Sequence, residues 1–159
     1  MNEHCVVRGR DWLECAQNPD GGWGESCGSY DDSRLKGRGL STASQTGWGL
    51  MGHLACGDIQ RPSVRRAVRY LIETQQADGS WEEKLITGTG FPCVFYLRYD
   101  MYRNNWPLLA LGEYQQIVQK TLLRRFLSVT NQGHFLPAVA TSLNPSRKVR
   151  GLWTSQFRR

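Results

Sequence analysis

The sequence predicts an all-helical fold, and three observations lead to that prediction. Apolar residues recur at helical spacing in the segments that precede Gln17 and Gln75. One motif occurs twice, with Gln17 and Gln75 at matching positions, and the long interval between the copies is typical of stacked helix-and-loop units. The stretches between the helical segments are rich in glycine, and none reads convincingly as a pair of strands. We therefore expect helices joined by glycine-rich loops, near residues 2–17, 43–56, 62–76, 92–104 and 107–127.

Start and end signals justify the first three helices. The first ends at the turn Asn18-Pro19-Asp20-Gly21 and the third at Ala77-Asp78-Gly79, because glycine tolerates the backbone angles of a helix end. Ser41 or Ser44 is placed to cap the second helix. Pro62 suits the first turn of the third helix, where the N–H that proline lacks would have no helical partner.

The last two predicted helices also begin near prolines, Pro92 and Pro107. In the fourth helix, aromatic residues stand at relative positions i, i+4, i+8 and i+11. At about 100° per residue they fall within an arc of roughly 80°. These residues are Phe91, Phe95, Tyr99 and Tyr102. From spacing alone, such a stripe most often belongs to a hydrophobic core.

The repeated motif has a mechanical interpretation. Its first copy reads Arg8-Gly9, Trp12-Leu13, Gln17, Asp20-Gly21 and Trp23, and its second reads Arg66-Ala67, Tyr70-Leu71, Gln75, Asp78-Gly79 and Trp81. Each residue of the second copy follows its counterpart in the first by the number of positions that separates Gln17 from Gln75. We call this separation the repeat interval. The glutamine amide can satisfy free backbone groups at the end of a neighbouring helix, while the tryptophan ring covers the junction from water. We therefore interpret Gln17, Trp23, Gln75 and Trp81 as structural residues that do no chemistry.

Charge separates the end of the chain from the rest. No Asp or Glu follows Glu113, and the formal net charge of +6 arises from eight cations in residues 120–159. These are Lys120, Arg124, Arg125, Arg147, Lys148, Arg150, Arg158 and Arg159. A basic tail can bind nucleic acid or an anionic membrane. The alternative, a solvated terminus, is the interpretation that we favour.

Cysteines and histidines predict neither a disulfide framework nor a zinc site. The five cysteines are odd in number and include no C-x-x-C pair, and the three histidines are scattered. This usage fits a reducing compartment. The sequence contains no signal-peptide pattern and no apolar run that could span a bilayer, so any membrane association is expected to be peripheral.

An ordered series of motifs resembles the squalene-hopene cyclases and the wider triterpene cyclases, whose repeated Gln-Trp motifs have this form. The series is QNPDGGWGESC at 17–27, STASQTGWGLM at 41–51, YLIETQQADGSW at 70–81, TGTGFPCVFYLRYDMY at 87–102, and Pro107 to Leu111. The resemblance covers roughly residues 1–119, in the order expected of the C-terminal part of that family. The basic tail, 120–159, lies outside it. At 159 residues the chain is much shorter than such cyclases, so we expect a C-terminal fragment.

The family resemblance implies a partial α/α toroid of the terpenoid cyclase and prenyltransferase type. It also implies a proton-initiated polycyclisation of squalene to hopanoid triterpenes, with no cofactor and no metal. The parent enzyme would be a cytoplasmic protein held peripherally on one membrane leaflet, it could be a homodimer, and it would have no nucleic-acid partner. In that family the central acid of an Asp-Xaa-Asp-Asp motif starts the reaction. This sequence has no such motif, so we expect no catalytic residue in the chain and no activity from the chain alone.

The same resemblance assigns cavity residues. A polyene that folds into rings passes through carbocations, and aromatic faces stabilise a cation by roughly 0.5–2 kcal/mol each without bonding to it. We therefore expect Phe91, Phe95, Tyr99 and Tyr102 to shape the cavity. Trp48 joins them, since it lies between Gly47 and Gly49, which cost a helix about 1 kcal/mol apiece relative to Ala. Close helix packing is the alternative explanation for those glycines. Four carboxylates, Asp20, Glu25, Asp31 and Asp32, are expected to be turn, cap and surface groups.

Two alternatives to the squalene-hopene activity remain open at this stage. The chain could belong to a cyclase of the same family with another isoprenoid substrate or product. It could also be a noncatalytic helical repeat module that binds a partner, as in protein prenyltransferase subunits. The segment that runs from GTGFP to MY, at 88–102, favours a cyclase, because a generic repeat does not need it.

Overall fold

The computed structural model describes residues 3–130 and is mostly helical. Its helices are α1 (His4–Ala16), α2 (Ala43–Ala55), α3 (Pro62–Thr74) and α4 (Tyr102–Thr130), and its strands are β1 (Gly88–Phe91) and β2 (Phe95–Leu97). Two short 3₁₀ helices, Cys27–Tyr30 and Ser33–Leu35, lie between α1 and α2. The first three predicted helices are confirmed to within a few residues.

The chain divides into two compact units, residues 1–122 and residues 123–159. The first contains α1, α2, α3, both strands and most of α4. In the second, the structure describes residues 123–130, which form the end of α4. Most of the basic tail therefore lies outside the described residues. Within 3–130, no helix is long and apolar enough to cross a membrane.

Residues of the helices and the two tryptophans of the repeated motif form the hydrophobic core of the first unit. Helix α3 contributes one apolar face, as its periodicity predicts, and α2 packs against it. The buried hydrophobic residues are Trp23, Ala43, Leu50, Leu54, Val64, Ala67, Val68, Leu71, Trp81 and Ala110.

The predicted helix near 92–104 is wrong, and so is the expectation that no strands pair. Strands β1 and β2 form an antiparallel hairpin instead. Pro92 lies in its turn, where the fixed φ of proline is acceptable and no helix follows. The aromatic spacing at 91, 95, 99 and 102 therefore does not describe one helix face.

Helix α4 begins at Tyr102, earlier than predicted. Pro107 lies inside α4 and is fully buried, although proline removes one helical hydrogen bond at that position. The cap of α2 also differs from the prediction. Thr42, and neither Ser41 nor Ser44, is the N-cap residue, and its hydroxyl accepts a hydrogen bond from the Gln45 N–H.

Candidate functional site

The two copies of the repeated motif form the same turn. The Gln17 side-chain amide donates to the Gly21 carbonyl at 2.8 Å, and the Gln75 amide donates to the Gly79 carbonyl at 2.9 Å. Gly21 and Gly79 have φ angles of 90° and 88°, in the left-handed region that favours glycine. Each glutamine side chain therefore closes a tight turn by bonding to the residue four positions further along the chain.

The two tryptophans also have matching contacts. The indole N–H of Trp23 donates to the Leu13 carbonyl at 2.8 Å, and that of Trp81 donates to the Leu71 carbonyl at 2.8 Å. Both rings are buried. Each ring is therefore fixed against the end of the helix that precedes its turn, with its one polar atom satisfied.

Within residues 3–130, the first glutamine is the one whose bonds reach the next repeat. Its amide donates to the Ser63 carbonyl in the first turn of α3 at 2.9 Å, and the Arg66 guanidinium donates to its oxygen. Gln75 is exposed, and among the same residues its side chain is bonded to the Gly79 carbonyl. The first turn is thereby joined to α3.

The repeat interval extends beyond the residues of the motif. The backbone N–H of Trp23 donates to the Thr46 hydroxyl at 3.0 Å, and the backbone N–H of Trp81 donates to the Asn104 side-chain oxygen at 3.1 Å. Thr46 and Asn104 are themselves separated by one repeat interval. The beginning of α4 therefore accepts a hydrogen bond from the second tryptophan, as α2 does from the first.

An aromatic cluster joins α2 to the beginning of α4. The ring centroid of Tyr102 lies 5.8 Å from that of Trp48 and 5.8 Å from that of Trp106, and the two indoles are 5.9 Å apart, each pair edge to face. Tyr99 stacks on Tyr102 with centroids 4.7 Å apart. The structure thus brings together three of the predicted residues, Trp48, Tyr99 and Tyr102. Sequence analysis missed the fourth ring, Trp106, although it follows Trp48 by one repeat interval.

Two glycines let the helices approach this cluster closely. A Cβ atom at Gly47 would lie 2.8 Å from the carbonyl carbon of Trp106, and one at Gly49 would lie 2.7 Å from the Trp23 ring. Real Cβ contacts are not that short, so both positions need glycine for packing. This contact explains the glycines on either side of Trp48 without reference to function.

The other two predicted residues lie on the hairpin. Phe91 and Phe95 are paired across β1 and β2, and their rings meet edge to face with centroids 5.7 Å apart. Phe91 is 64% exposed, Phe95 is 43% exposed, and Tyr99, just after the hairpin, is 42% exposed. The three rings therefore present exposed apolar surface.

Trp48 also lines a cavity of about 330 Å³. Aromatic rings and a few polar groups line it, among them Trp12, Trp23, Tyr30, Trp48, Glu25 and Gln45. The Gln45 side-chain oxygen accepts from the Glu25 backbone N–H at 2.8 Å, and the Gln45 side-chain amide donates to the Glu25 carbonyl at 3.0 Å. Gln45 is thus already hydrogen-bonded, and much of the remaining lining is aromatic.

The four carboxylates noted in the sequence all accept hydrogen bonds from other groups of the chain. Asp20 accepts from the Gly22 N–H at 2.9 Å, Glu25 from the Gly37 N–H, and Asp31 from the Cys93 thiol. Hydrogen bonds from Arg34 lower the pKa of Asp32. These contacts fit turn, cap and surface roles.

Two buried polar residues escaped the sequence analysis. The Glu83 carboxylate accepts from the Ser44 N–H at 2.9 Å and from its hydroxyl at 2.8 Å, at the N-terminus of α2, where a negative charge is favoured. His53 is fully buried, with ring nitrogens 4.0 Å from Glu14 and from Asp58. Burial lowers the pKa of His53. Neither residue shows a sequence pattern that distinguishes it from a surface residue.

Comparison with known proteins places most of the chain within one family. The family model described as "Squalene-hopene cyclase C-terminal domain" matches residues 1–116. That range contains all of the predicted site residues and both copies of the repeated motif.

Individual relatives agree with the family match. The chain is 52% identical over 97 residues to a squalene–hopene cyclase of Alicyclobacillus acidocaldarius, covering 61% of this chain and 15% of that protein. It is 48% identical over 116 residues to one from Bradyrhizobium diazoefficiens, covering 70% and 17%. A dammaradiene synthase of Dryopteris crassirhizoma is 44% identical over 137 residues, covering 77% and 20%. The chain thus spans a fifth or less of the length of these relatives.

Proposed function

The chain belongs to the squalene-hopene cyclase family, and we propose that it forms part of the aromatic wall of a cavity in which squalene is cyclised to hopanoid triterpenes. The observation that carries the proposal is the ring cluster of Trp48, Tyr102 and Trp106, together with the exposed Phe91 and Phe95. These rings lie within the part of the chain that the family match covers.

Aromatic rings suit the chemistry of this reaction. Ring closure moves positive charge along the substrate, and each ring face attracts a cation through its quadrupole. A carboxylate or thiol beside the cation would instead capture it. Exposed apolar faces, as on Phe91 and Phe95, could therefore stabilise successive cations and exclude water from them.

We propose that the general acid is supplied by a part of the parent protein other than this chain. The sequence has no Asp-Xaa-Asp-Asp motif. The carboxylates Asp20, Glu25, Asp31 and Asp32 are already hydrogen-bonded to other groups of the chain. The chain alone should then be inactive towards squalene, since the acid that would protonate a terminal double bond is missing.

The rest of the proposal concerns the parent protein. We propose a toroid of the terpenoid cyclase type in which Gln17, Trp23, Gln75 and Trp81 act structurally, as their matched turns support. We further propose peripheral attachment to one membrane leaflet on the cytoplasmic side, and a homodimer. No cofactor or metal is needed for proton-initiated cyclisation.

A chimera tests the proposed function. Residues 1–116 of this chain, the range that the family model matches, replace the corresponding segment of the Alicyclobacillus cyclase, so that the relative supplies everything else. We expect the chimera to convert squalene to cyclised products, measured by gas chromatography with mass spectrometry. A chimera with native-like circular dichroism and no cyclised product would contradict the proposal.

The products of the chimera also decide between the two cyclase alternatives. Relatives of this chain include both squalene–hopene cyclases and a dammaradiene synthase. Pentacyclic hopanoid products support the first, and a preponderance of other triterpenes supports the second.

A further inference from the structure

The hairpin that carries Phe91 and Phe95 is small and exposed. Three residue pairs join its strands, and the register shifts between Thr89 and Phe91. Two-stranded hairpins are marginally stable in water without other packing. The position of the two phenylalanine rings therefore depends on contacts outside the hairpin.

The hairpin turn contains a strained residue. Cys93 has a φ angle of 61°, the left-handed region that residues other than glycine rarely adopt. Its N–H donates to the Tyr96 hydroxyl at 3.1 Å. A non-glycine residue in that conformation persists where neighbouring contacts hold it.

One segment, the 3₁₀ helix Cys27–Tyr30 and the residue that follows it, contacts the hairpin and the residues just before it. The Cys93 thiol donates to the Asp31 carboxylate at 2.8 Å. The rings of Tyr30 and Tyr96 lie 6.1 Å apart. Before β1, the Cys27 thiol approaches the Ile86 carbonyl at 3.5 Å.

Asp31 and its neighbour Asp32 have different partners. Two nitrogens of the Arg34 guanidinium bond to the carboxylate of Asp32, at 2.7 Å to 3.1 Å. Asp31 instead faces the tip of the hairpin. The two adjacent carboxylates therefore provide a matched pair, in which one contacts the hairpin and the other contacts its own loop.

We infer that Asp31 and Cys93 are positioning residues: their contact fixes the tip of the hairpin and thereby the place of the Phe91 and Phe95 rings. The consequence for product choice rests on the proposed cyclase function. The contact itself does not, because it involves groups of this chain alone.

The protonation state of the thiol sets the strength of this contact. A neutral thiol donates to the carboxylate, whereas a thiolate would be repelled by it. In agreement, the hydrogen bond to Asp31 raises the pKa of Cys93. Loss of the Asp31 charge should therefore lower that pKa and make the thiol more reactive.

Thiol alkylation tests the contact without any substrate. The 159-residue chain is prepared with Cys5, Cys15, Cys27 and Cys56 changed to serine, and the rate of Cys93 alkylation by iodoacetamide is measured against pH. Asp31→Asn should lower the pKa of Cys93 and raise the rate near pH 8 by about threefold or more, since the thiolate is the reactive form. Asp32→Asn, the matched control, should leave the profile unchanged. Identical profiles in the parent and both variants would overturn the inference.

The chimera tests the consequence for the reaction. Cys93→Gly removes the thiol while suiting the left-handed backbone, and Cys93→Ser retains a donor to Asp31. We expect the glycine variant to produce more incompletely cyclised product, and the serine variant to match the parent. Equal product profiles for all three proteins would contradict the positioning role. If the parent chimera makes no product at all, the proposed function fails, while the alkylation result still decides the contact.

Discussion

Trp48 and Trp106 are separated by one repeat interval, the same that separates Gln17 from Gln75, and their indole rings meet edge to face with centroids 5.9 Å apart. Trp48 lies on α2 and Trp106 on α4, so equivalent positions of two repeats meet at one contact. Gly47, beside Trp48, lets the two helix backbones touch there. The aromatic cluster is therefore built on the repeat itself.

The close approach at Gly47 predicts the effect of a single methyl group. In Gly47→Ala, the new Cβ would lie 2.8 Å from the Trp106 backbone, so α4 must move away from α2. We expect a loss of about 1–3 kcal/mol in the free energy of unfolding, as for other overpacked cores. Urea denaturation of the chimera measures it.

Gly112→Ala is the matched control for that variant. Gly112 also lies in a helix, but a Cβ there would have nothing within 4 Å. Alanine should then stabilise α4 by up to about 1 kcal/mol through helix propensity. If both alanine variants had the same effect, close packing at Gly47 would not be the reason for its glycine.

The two repeat glutamines should differ in their contribution to stability. Gln17 bonds to Gly21, Ser63 and Arg66, whereas Gln75 bonds to Gly79. At about 0.5–1.5 kcal/mol for each hydrogen bond, Gln17→Ala, which loses three, should cost about 1.5–4.5 kcal/mol and Gln75→Ala, which loses one, about 0.5–1.5 kcal/mol. Denaturation midpoints of the two variants compare them. Equal losses would contradict the clasp between the first turn and α3.

Buried His53 predicts a dependence of stability on pH. Because burial lowers its pKa in the folded chain, the unfolded chain binds the proton first, near its ordinary pKa of about 6.5. The contribution of His53 is therefore intact above that pH and declines as the pH falls towards the lower pKa of the folded state, by at most about 1.4 kcal/mol per pH unit.

A leucine variant isolates this effect, since leucine fills a similar volume without titrating. Between pH 7 and pH 5, the parent should lose more stability than His53→Leu, measured as melting temperature at each pH. Parallel losses in the two proteins would show that folding leaves the pKa of His53 unchanged, and would contradict the effect of burial.

Much of the helical framework could be predicted from the sequence, because its signals are local. Helix α3 begins at Pro62, as the fixed φ of proline favours. It ends at Thr74, and the turn that contains Gly79 follows within a few residues, so the turn signal placed the end approximately. The hairpin could not be recognised in the same way. Its aromatic residues happen to be spaced at the helical period. In the structure, however, Phe91 and Phe95 are paired across the turn of the hairpin.

The contacts of the site were less predictable than its residues. Trp106 could have been found by applying the repeat interval to Trp48. The bond between Glu83 and the N-terminus of α2 joins residues 39 positions apart and leaves no periodic trace. The Asp31 contact with Cys93 spans 62 positions and is equally invisible to local patterns.

The product profile of the chimera shows whether these rings form the wall of a cyclisation cavity. Trp48→Ala, Phe91→Ala and Phe95→Ala are compared with Tyr114→Leu, which removes a ring that packs on the helical core. Loss of about 0.5–2 kcal/mol of cation stabilisation should raise the ratio of prematurely terminated to complete products by about 2- to 30-fold in the three alanine variants. The control should leave that ratio unchanged. An unaltered ratio in all three alanine variants would contradict the claim.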